Sequence, residues 1–406
     1  MAAASEGRIP ARIRAEVERW NDELVALTSS FIEIPSENPP GTHMVDAQNW
    51  IRDQLERFAI PFDVIHSSRG DTDHRVIVGK VGDEGPVMYL HGHYDVVPAF
   101  AEEQFSASVV DGSIVGRGAS DMKGGLVAMM VAAVIHRDIG GAGQIRLIFV
   151  PDEETGGADG AERLGALGVL GDAENVVGAI VGEPSWPHIW YAARGAFTVK
   201  VTVRGKAAHV GLHYRGNNAF ERAHGVLGKL FSYRDKIAEH RTGLRIEPEA
   251  ARSSIMLIGG VSGGGTNFNI VPDEFSFTID RRPNPDEDYA AARAELLAQL
   301  EDLAETTDLT IEILQDVAPA YTAIDDPLIS NIEQAITAAS GRRAQVTMCP
   351  GCLETRIYSL RGIPAVAYGP GPMASMHARD EHVPIENLVE ACLVYATVLQ
   401  DRLGSN

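Results

Sequence analysis

One stretch limits the folds open to this chain: Val87-Met88-Tyr89-Leu90-His91-Gly92-His93-Tyr94-Asp95-Val96-Val97-Pro98. It begins as an apolar run without acidic or basic residues, the mark of a buried strand, and ends on His93 and Asp95, two positions apart. A strand puts residues i and i+2 on one face. An imidazole and a carboxylate therefore emerge side by side at the strand's carboxyl end, where open α/β sheets hold their ligands. Such a pair suits a metal site, because a ligating histidine needs a carboxylate to fix its tautomer and raise its basicity. Alone, it reads equally well as a core histidine beside a turn aspartate, and the rest of the chain decides.

Around this strand, helices and strands alternate. Ile13, Val17, Trp20, Leu24, Leu27 and Phe31 recur at helical spacing behind Pro10, and Ala47, Trp50, Ile51, Leu55 and Phe58 mark a second helix. Strands are predicted at Phe62–Ile65 and Arg75–Val81. A glycine-rich loop, Gly116 to Gly125, opens onto an apolar helix from Leu126 to Ile135. Further apolar strands end in Asp152-Glu153-Glu154 and in Glu183. Near Gly195 the pattern becomes strict alternation, with Phe197, Val199, Val201 and Val203 between Thr198, Lys200, Thr202 and Arg204. That is a sheet covered on one face. A helix carrying Phe220, Ala223, Leu227, Leu230 and Phe231 on one side follows, then strands at Ser254–Ile258 and Glu274–Asp280 and a helix over Tyr289–Leu303. From about Ile313 the α/β character returns, with a strand at Val366–Gly369 and a last helix striped by Leu388, Cys392, Tyr395 and Leu399.

The predicted fold is α/β: a central mixed sheet flanked by helices, interrupted by a smaller α+β domain. The boundaries fall at 1–194 and 313–406 for the larger domain and 195–312 for the insert, and 406 residues suit two or three domains. An uncovered strand edge of the insert could pair with a second copy of itself.

With 56 acidic against 35 basic residues, the formal net charge of -21 disfavours nucleic acid or an anionic membrane as partner. Cys349, Cys352 and Cys392 cannot build a disulfide framework, and Cys349-Pro350-Gly351-Cys352 lacks the second pair a structural zinc site would want. Met1 to Arg14 has no apolar signal core, and no apolar run reads as long enough to span a membrane, so a cytoplasmic protein is expected.

Chemistry lies in an ordered set of strand-end groups: His93 and Asp95, Asp121, Glu153 and Glu154, Glu183 and His377. His93, Asp121, Glu154, Glu183 and His377 would serve two divalent metal ions, zinc foremost, with cobalt or manganese as alternatives. Asp121 can bridge the two. A close pair of cations polarises a carbonyl and acidifies a shared water. In an extended segment Glu153 and Glu154 point opposite ways, leaving Glu153 as general base and then general acid.

Five motifs carry a resemblance: His93-Tyr94-Asp95-Val96-Val97-Pro98, the loop Gly116 to Gly125, Asp152-Glu153-Glu154-Thr155-Gly156-Gly157, Gly182-Glu183-Pro184-Ser185 and His377-Ala378-Arg379-Asp380-Glu381-His382. In this order they resemble the co-catalytic zinc amidohydrolases and metallopeptidases that include acetylornithine deacetylase, succinyl-diaminopimelate desuccinylase, aminoacylase-1 and carboxypeptidase G. The resemblance implies His93, Asp121 and Glu183 on one metal and Asp121, Glu154 and His377 on the other. It implies Glu153 as base, Asp95 as support for His93, and a cis peptide at Asp121–Met122. Gly205-Lys206-Ala207-Ala208-His209 and Asn217-Asn218-Ala219 resemble the family's lid and dimerisation domain. That likeness implies a homodimer in which His209 reaches the partner subunit's site and stabilises an oxyanion. It also implies Asn269 near the substrate and Arg282 on a substrate carboxylate.

At one place the chain departs from the family. Pro350-Gly351-Cys352-Leu353-Glu354-Thr355-Arg356 stands where glycine, small hydroxyl residues and an aspartate usually precede an arginine. Arg356 keeps the arginine's place and is a third substrate-binding candidate. The expected activity is dinuclear-metal hydrolysis of an amide bond in a small molecule, an N-acyl amino acid or related carboxylate. The alternatives are hydrolysis of an unusual non-peptide carbon–nitrogen bond, such as that of an aromatic amine or formamide, and a non-catalytic ligand-binding homologue.

Overall fold

A computed structural model of the protein describes residues 9–68, 70, 73–171 and 175–404. Residues 1–8 of the stretch read for a signal sequence lie outside the described residues. The chain divides into two compact units. The larger comprises Met1–Tyr191, Tyr321–Val346 and Glu354–Asn406; the smaller comprises Ala192–Ala320 and Thr347–Leu353.

Four neighbouring strands organise the larger unit: Gln144–Val150, Val87–His93, Val176–Val181 and Ala365–Ala367, all parallel. Arg75–Val81 and then Phe62–His66 extend the sheet antiparallel beyond Gln144–Val150, and His188–Ala193 lies antiparallel beside Ala365–Ala367. The sheet is therefore mixed, with a parallel centre. Parallel strands are covered on both faces and read as near-continuous apolar runs; Met88, Tyr89, Leu90 and Ile145 to Val150 follow that rule except at Arg146. Register aligns the strand ends. His93 pairs with Val150 and His91 with Val181, so His93 and Glu183, each two residues further on, emerge level with each other.

Helices Ala11–Ile32, Gly124–Asp138 and Ile385–Leu403 pack on one another. The middle one starts before the predicted Leu126, directly from the glycine-rich loop. A Cβ on Gly125 would stand 2.5 Å from the Gly182 carbonyl oxygen, so only glycine lets the helix begin this close to the strand end. The segment Ala119–Asp138 does reach membrane-spanning length and apolarity, contrary to the sequence expectation. Its apolar stretch is wholly buried inside the protein, as a core helix, and Arg137 and Asp138 at its end reach the surface.

The smaller unit is an antiparallel sheet in the order Ile255–Gly264, Glu274–Arg282, Ala196–Arg204, Leu309–Val317, with helices Ala219–Ile237 and Tyr289–Ala304. Phe197, Val199, Val201 and Val203 form its core with Ala223, Leu230, Leu296 and Leu300. Leu309–Val317 pairs with Ala196–Arg204, so the strand through Ile313 belongs to this sheet and not to a resumed α/β pattern. The helix also turns differently from the prediction. Phe220 and Phe231 are 55% and 40% exposed, while Val226 and Tyr233 take the inward places. A helical face is set by the tertiary surface it meets, and a ring of aromatics in the sequence does not fix it.

Candidate metal centre

His93 closes the central strand with both ring nitrogens engaged. Nε2 lies 3.1 Å from Asp121 Oδ1 and 3.9 Å from Glu183 Oε1. Nδ1 lies 3.0 Å from the Asp95 carbonyl oxygen and 3.2 Å from Asp95 Oδ1. Opposite, Asp121 Oδ2 lies 3.2 Å from His377 Nε2, which in turn is 3.3 Å from Glu154 Oε2. The two oxygens of Asp121 thus face two different imidazoles. His93, Asp95, Asp121 and Glu183 are buried, whereas the His377 side chain is 48% exposed and forms the open side. His377 sits at a positive φ of 58°, a conformation that strains a residue with a Cβ by about 1–2 kcal/mol. The Asp121–Met122 peptide is cis.

Glu153 and Glu154 do not lie in an extended segment, as the sequence reading had it. They begin a 3-10 turn, Glu153–Thr155. Asp95 holds it: Oδ1 accepts the Glu153 N–H and Oδ2 the Glu154 N–H, each at 3.2 Å, while Asn38 Nδ2 donates to Oδ2 at 3.1 Å. Asp95 thus touches both the imidazole and the turn, a second task its spacing from His93 gives no sign of.

Electrostatics mark the cluster as built for cations. Burial and then the Asp121 charge push the Glu183 carboxyl well above its usual range. Burial likewise raises Glu154, against the hydrogen bond from His377. Burial raises Glu153 to about 8, helped by Glu354, Glu154 and Asp121 against the pull of His93. Hydrogen bonds to Asp121 and Glu154 raise His377 to about 10. Burial opposes ionisation of Asp121, but His377 and His93 hold it well below the carboxylate range. Oε1 of Glu154 and Oε1 of Glu183 are buried without a hydrogen-bond partner. An acceptor left so is costly, and divalent cations among these imidazole and carboxylate donors would satisfy both. The residues present fit a pair of such ions: His93, Asp121 and Glu183 around one, Asp121, Glu154 and His377 around the other.

The substrate-binding candidates are placed less simply. Arg356 is buried, and its Nε and Nη2 both donate to Glu162 Oε1, at 3.1 and 2.5 Å. In the smaller unit, Arg282 donates through Nε to both Asp280 oxygens at 2.9 Å and through Nη1 to Cys352 Sγ at 3.1 Å. His209 and Asn269 lie at one short ladder, where His209 pairs with Ile270 and Val210 N donates to the Asn269 carbonyl. The His209 ring is exposed and accepts the Gly211 N–H at 3.1 Å.

Several residues around the centre carry contacts that the sequence reading did not assign. Lys123 is buried and donates through Nζ to the carbonyls of Phe31 and Ile34 at 3.1 and 2.6 Å, bracing the loop that carries Asn38. Glu354 reaches His91, one of the histidines in the opening stretch. A further group, His74, Asp152 and Asp159, brings potential ligand atoms within 4.8 Å of one another. There the His74 ring lies 3.0 Å from Asp159, and the Asp159 N–H donates to Asp152 at 2.7 Å. Backbone amides and distant carboxylates have no periodicity, which is why none of this shows in the sequence pattern.

Comparison with known proteins places these motifs among relatives. The model of peptidase family M20/M25/M40 matches residues 89–401. A Staphylococcus aureus protein named as a succinyl-diaminopimelate desuccinylase is 25% identical over 389 residues, covering 89% of this chain and 93% of its own. A Mycobacterium tuberculosis protein of the same name is 29% identical over 374 residues, covering 90% and 95%. Among solved structures, human carnosine dipeptidase 1 superposes with a TM-score of 0.75 at 17% identity, covering 97% of this chain and 99% of its own. A tripeptidase from Staphylococcus aureus gives 0.73 at 20% identity, covering 94% and 98%.

Proposed function

The chain belongs to peptidase family M20/M25/M40 and is a metal-dependent hydrolase of carbon–nitrogen bonds, and on that premise we propose that it removes the acyl group from an N-acyl amino acid or a related small carboxylate. The observation that carries this reading is Asp121, whose two oxygens lie 3.1 and 3.2 Å from two different imidazoles. A carboxylate so placed suits two neighbouring cations, His93 and Glu183 completing one set and Glu154 and His377 the other. When bound, the two ions polarise the amide carbonyl and acidify the attacking water. We assign them as zinc, with cobalt or manganese able to replace it.

In this reading Glu153 is the proton carrier. Its carboxylate takes the proton from the attacking water and delivers it to the leaving amine, one group acting first as base and then as acid. Asp95 keeps the turn under Glu153 in place and fixes the His93 tautomer. His209 reaches into the partner subunit's site and steadies the oxyanion there, Asn269 positions the substrate, and Arg282 holds its carboxylate through paired hydrogen bonds. Arg282 Nε is already paired with Asp280 and Nη1 with Cys352 Sγ, so a substrate carboxylate would compete with the thiol for Nη1. The exposed edge strand Ile255–Gly264 supports a homodimer through the smaller unit, which would act as lid and dimerisation domain. The protein works on small molecules in the cytoplasm.

A second reading draws on Arg356. Its guanidinium is bound by Glu162, so the arginine that the family pattern offers to a substrate anion is occupied from within. That arrangement favours substrates without an anionic acyl group, including non-peptide amides. A panel of N-acetyl, N-succinyl and N-formyl amino acids with aromatic amides, assayed with zinc-loaded enzyme, tests both. Turnover of N-acyl amino acids supports the first reading, and turnover of the aromatic amides alone supports the second.

A further inference from the structure

Glu381 belongs to neither ligand set, yet it is 1% exposed and both of its oxygens are engaged. Oε1 accepts three backbone N–H groups, from Gly118, Ser120 and Asp121, at 3.0, 3.1 and 3.0 Å. Oε2 accepts Arg117 Nη1 at 2.5 Å, and the Glu381 carbonyl accepts the Gly116 N–H at 2.9 Å. One residue therefore gathers the backbone of the whole loop from Gly116 to Asp121. Converging N–H groups of this kind make a concave anion site, and here the anion is a side chain of the protein. Gly118, at a φ of 84°, gives the loop the bend that turns its amides inward.

Glu381 also stands four residues beyond His377. The segment between is tied back to the same neighbourhood. Gln104 Nε2 donates to the carbonyls of Ala378 and Arg379 at 3.3 and 3.1 Å, and the Gln104 carbonyl accepts the Arg117 N–H at 2.8 Å. Asp121 and His377 come from loops over 250 residues apart in sequence, yet Asp121 Oδ2 must meet His377 Nε2. Glu381 fixes the amide of the first and lies on the loop of the second.

We propose that Glu381 is a positioning residue that couples the two cation sites by setting the direction of the Asp121 carboxylate between His93 and His377. This rests on the two-metal reading of the centre. A carboxylate is required for geometric reasons. It presents acceptors on both sides, so one oxygen receives three amides while the other receives a guanidinium. A glutamine has a single acceptor oxygen, and its NH2 would face either the amides or Arg117. Removing Glu381 loosens Asp121 at both sites together, and most at the site that also uses His377.

Metal binding separates positioning from simple loop stability. Full-length wild type, Glu381→Gln, Glu381→Asp and Glu153→Gln are titrated with Zn(II) against a chelator and with Co(II) by visible absorption, and each is melted without metal. Outer residues that orient ligands typically change metal affinity about 10–100-fold. The expected result for Glu381→Gln is a loss in that range for the weaker ion, a changed Co(II) spectrum, and a kcat that recovers as zinc is raised while KM stays near wild type. Glu153→Gln keeps wild-type metal affinity. If Glu381→Gln does not fold, Glu381→Asp, which keeps the charge but withdraws the oxygens by one methylene, is expected to weaken the same ion. Wild-type affinity and an unchanged spectrum in the folded variant, with only the melting temperature lowered, would overturn the proposal. Wild type that binds fewer than two ions per chain would instead overturn the two-metal reading beneath it.

Discussion

His91 Nε2 and Glu354 Oε2 meet at 2.6 Å with both residues sealed from solvent, and the Tyr358 hydroxyl reaches the other ring nitrogen at 2.8 Å. Burial pushes the Glu354 carboxyl up, but His91, and behind it Arg356, hold it below the usual range. Glu354, with Leu353, is where the sequence reading expects a departure from the family pattern, and its carboxylate has a partner waiting on the central strand.

Breaking this pair leaves a buried carboxylate without its His91 hydrogen bond. His91→Phe is predicted to destabilise the metal-free protein by about 3–5 kcal/mol, and adding Glu354→Leu should recover much of that. Because the Glu354 carboxyl is depressed in the folded state, its contribution is present above the ordinary carboxylate range and is lost as pH falls through the folded value. Denaturant unfolding of the single and double variants at pH 7 measures it. Additive losses in the double variant would show that the two residues do not act as a pair.

If Glu153 carries the proton as proposed, Glu153→Gln removes that group and leaves the proposed ligands untouched. The predicted result is a fall in kcat of about 10²–10⁴-fold, with KM near wild type and two ions still bound. Steady-state kinetics with metal analysis checks both halves, and wild-type turnover would take Glu153 out of the mechanism.

Metal loading should release protons. In the metal-free protein burial raises Glu154 and Glu183, while acidic neighbours raise His93 above its usual range and His377 to about 10. Each shift favours the protonated form, and His377, at about 10, holds a proton at neutral pH that a cation must displace. Apparent zinc affinity is therefore predicted to rise with pH from 6 through 9. Calorimetry in buffers of different ionisation enthalpy should report net proton release, and a pH-independent affinity would contradict the predicted shifts.

His93, Glu154 and Glu183 were legible as candidates because each closes or follows an apolar strand. Val87 to Leu90 and Ile145 to Val150 announce strands, and what comes after each one is chemistry. The antiparallel strand pattern of Phe197 to Val203 likewise revealed the smaller unit's sheet. The turn under Glu153 was not legible, since its geometry depends on Asp95, 58 residues earlier in the chain. Phe220 and Phe231 misled for the reverse reason: aromatic residues near the helical period look like a core face, and only the surface they meet decides. Arg282 and Arg356 could be found by motif, but their internal carboxylate partners, Asp280 and Glu162, could not be weighed from sequence.

The smaller unit supplies its own prediction. Ile255–Gly264 ends the sheet, with Leu257 and Val261 55% and 73% exposed. If this edge joins two copies, Leu257→Asp with Val261→Asp should convert a dimer to a monomer in sedimentation equilibrium, without changing metal stoichiometry. A dimer that survives both charges would place the interface elsewhere.

The most direct test is anomalous diffraction from crystals of the zinc-loaded protein, recorded on both sides of the zinc absorption edge. Two zinc peaks are predicted per chain, one among His93, Asp121 and Glu183 and the other among Asp121, Glu154 and His377, with Asp121 touching both. A single peak, or peaks that leave Asp121 out, would contradict the account.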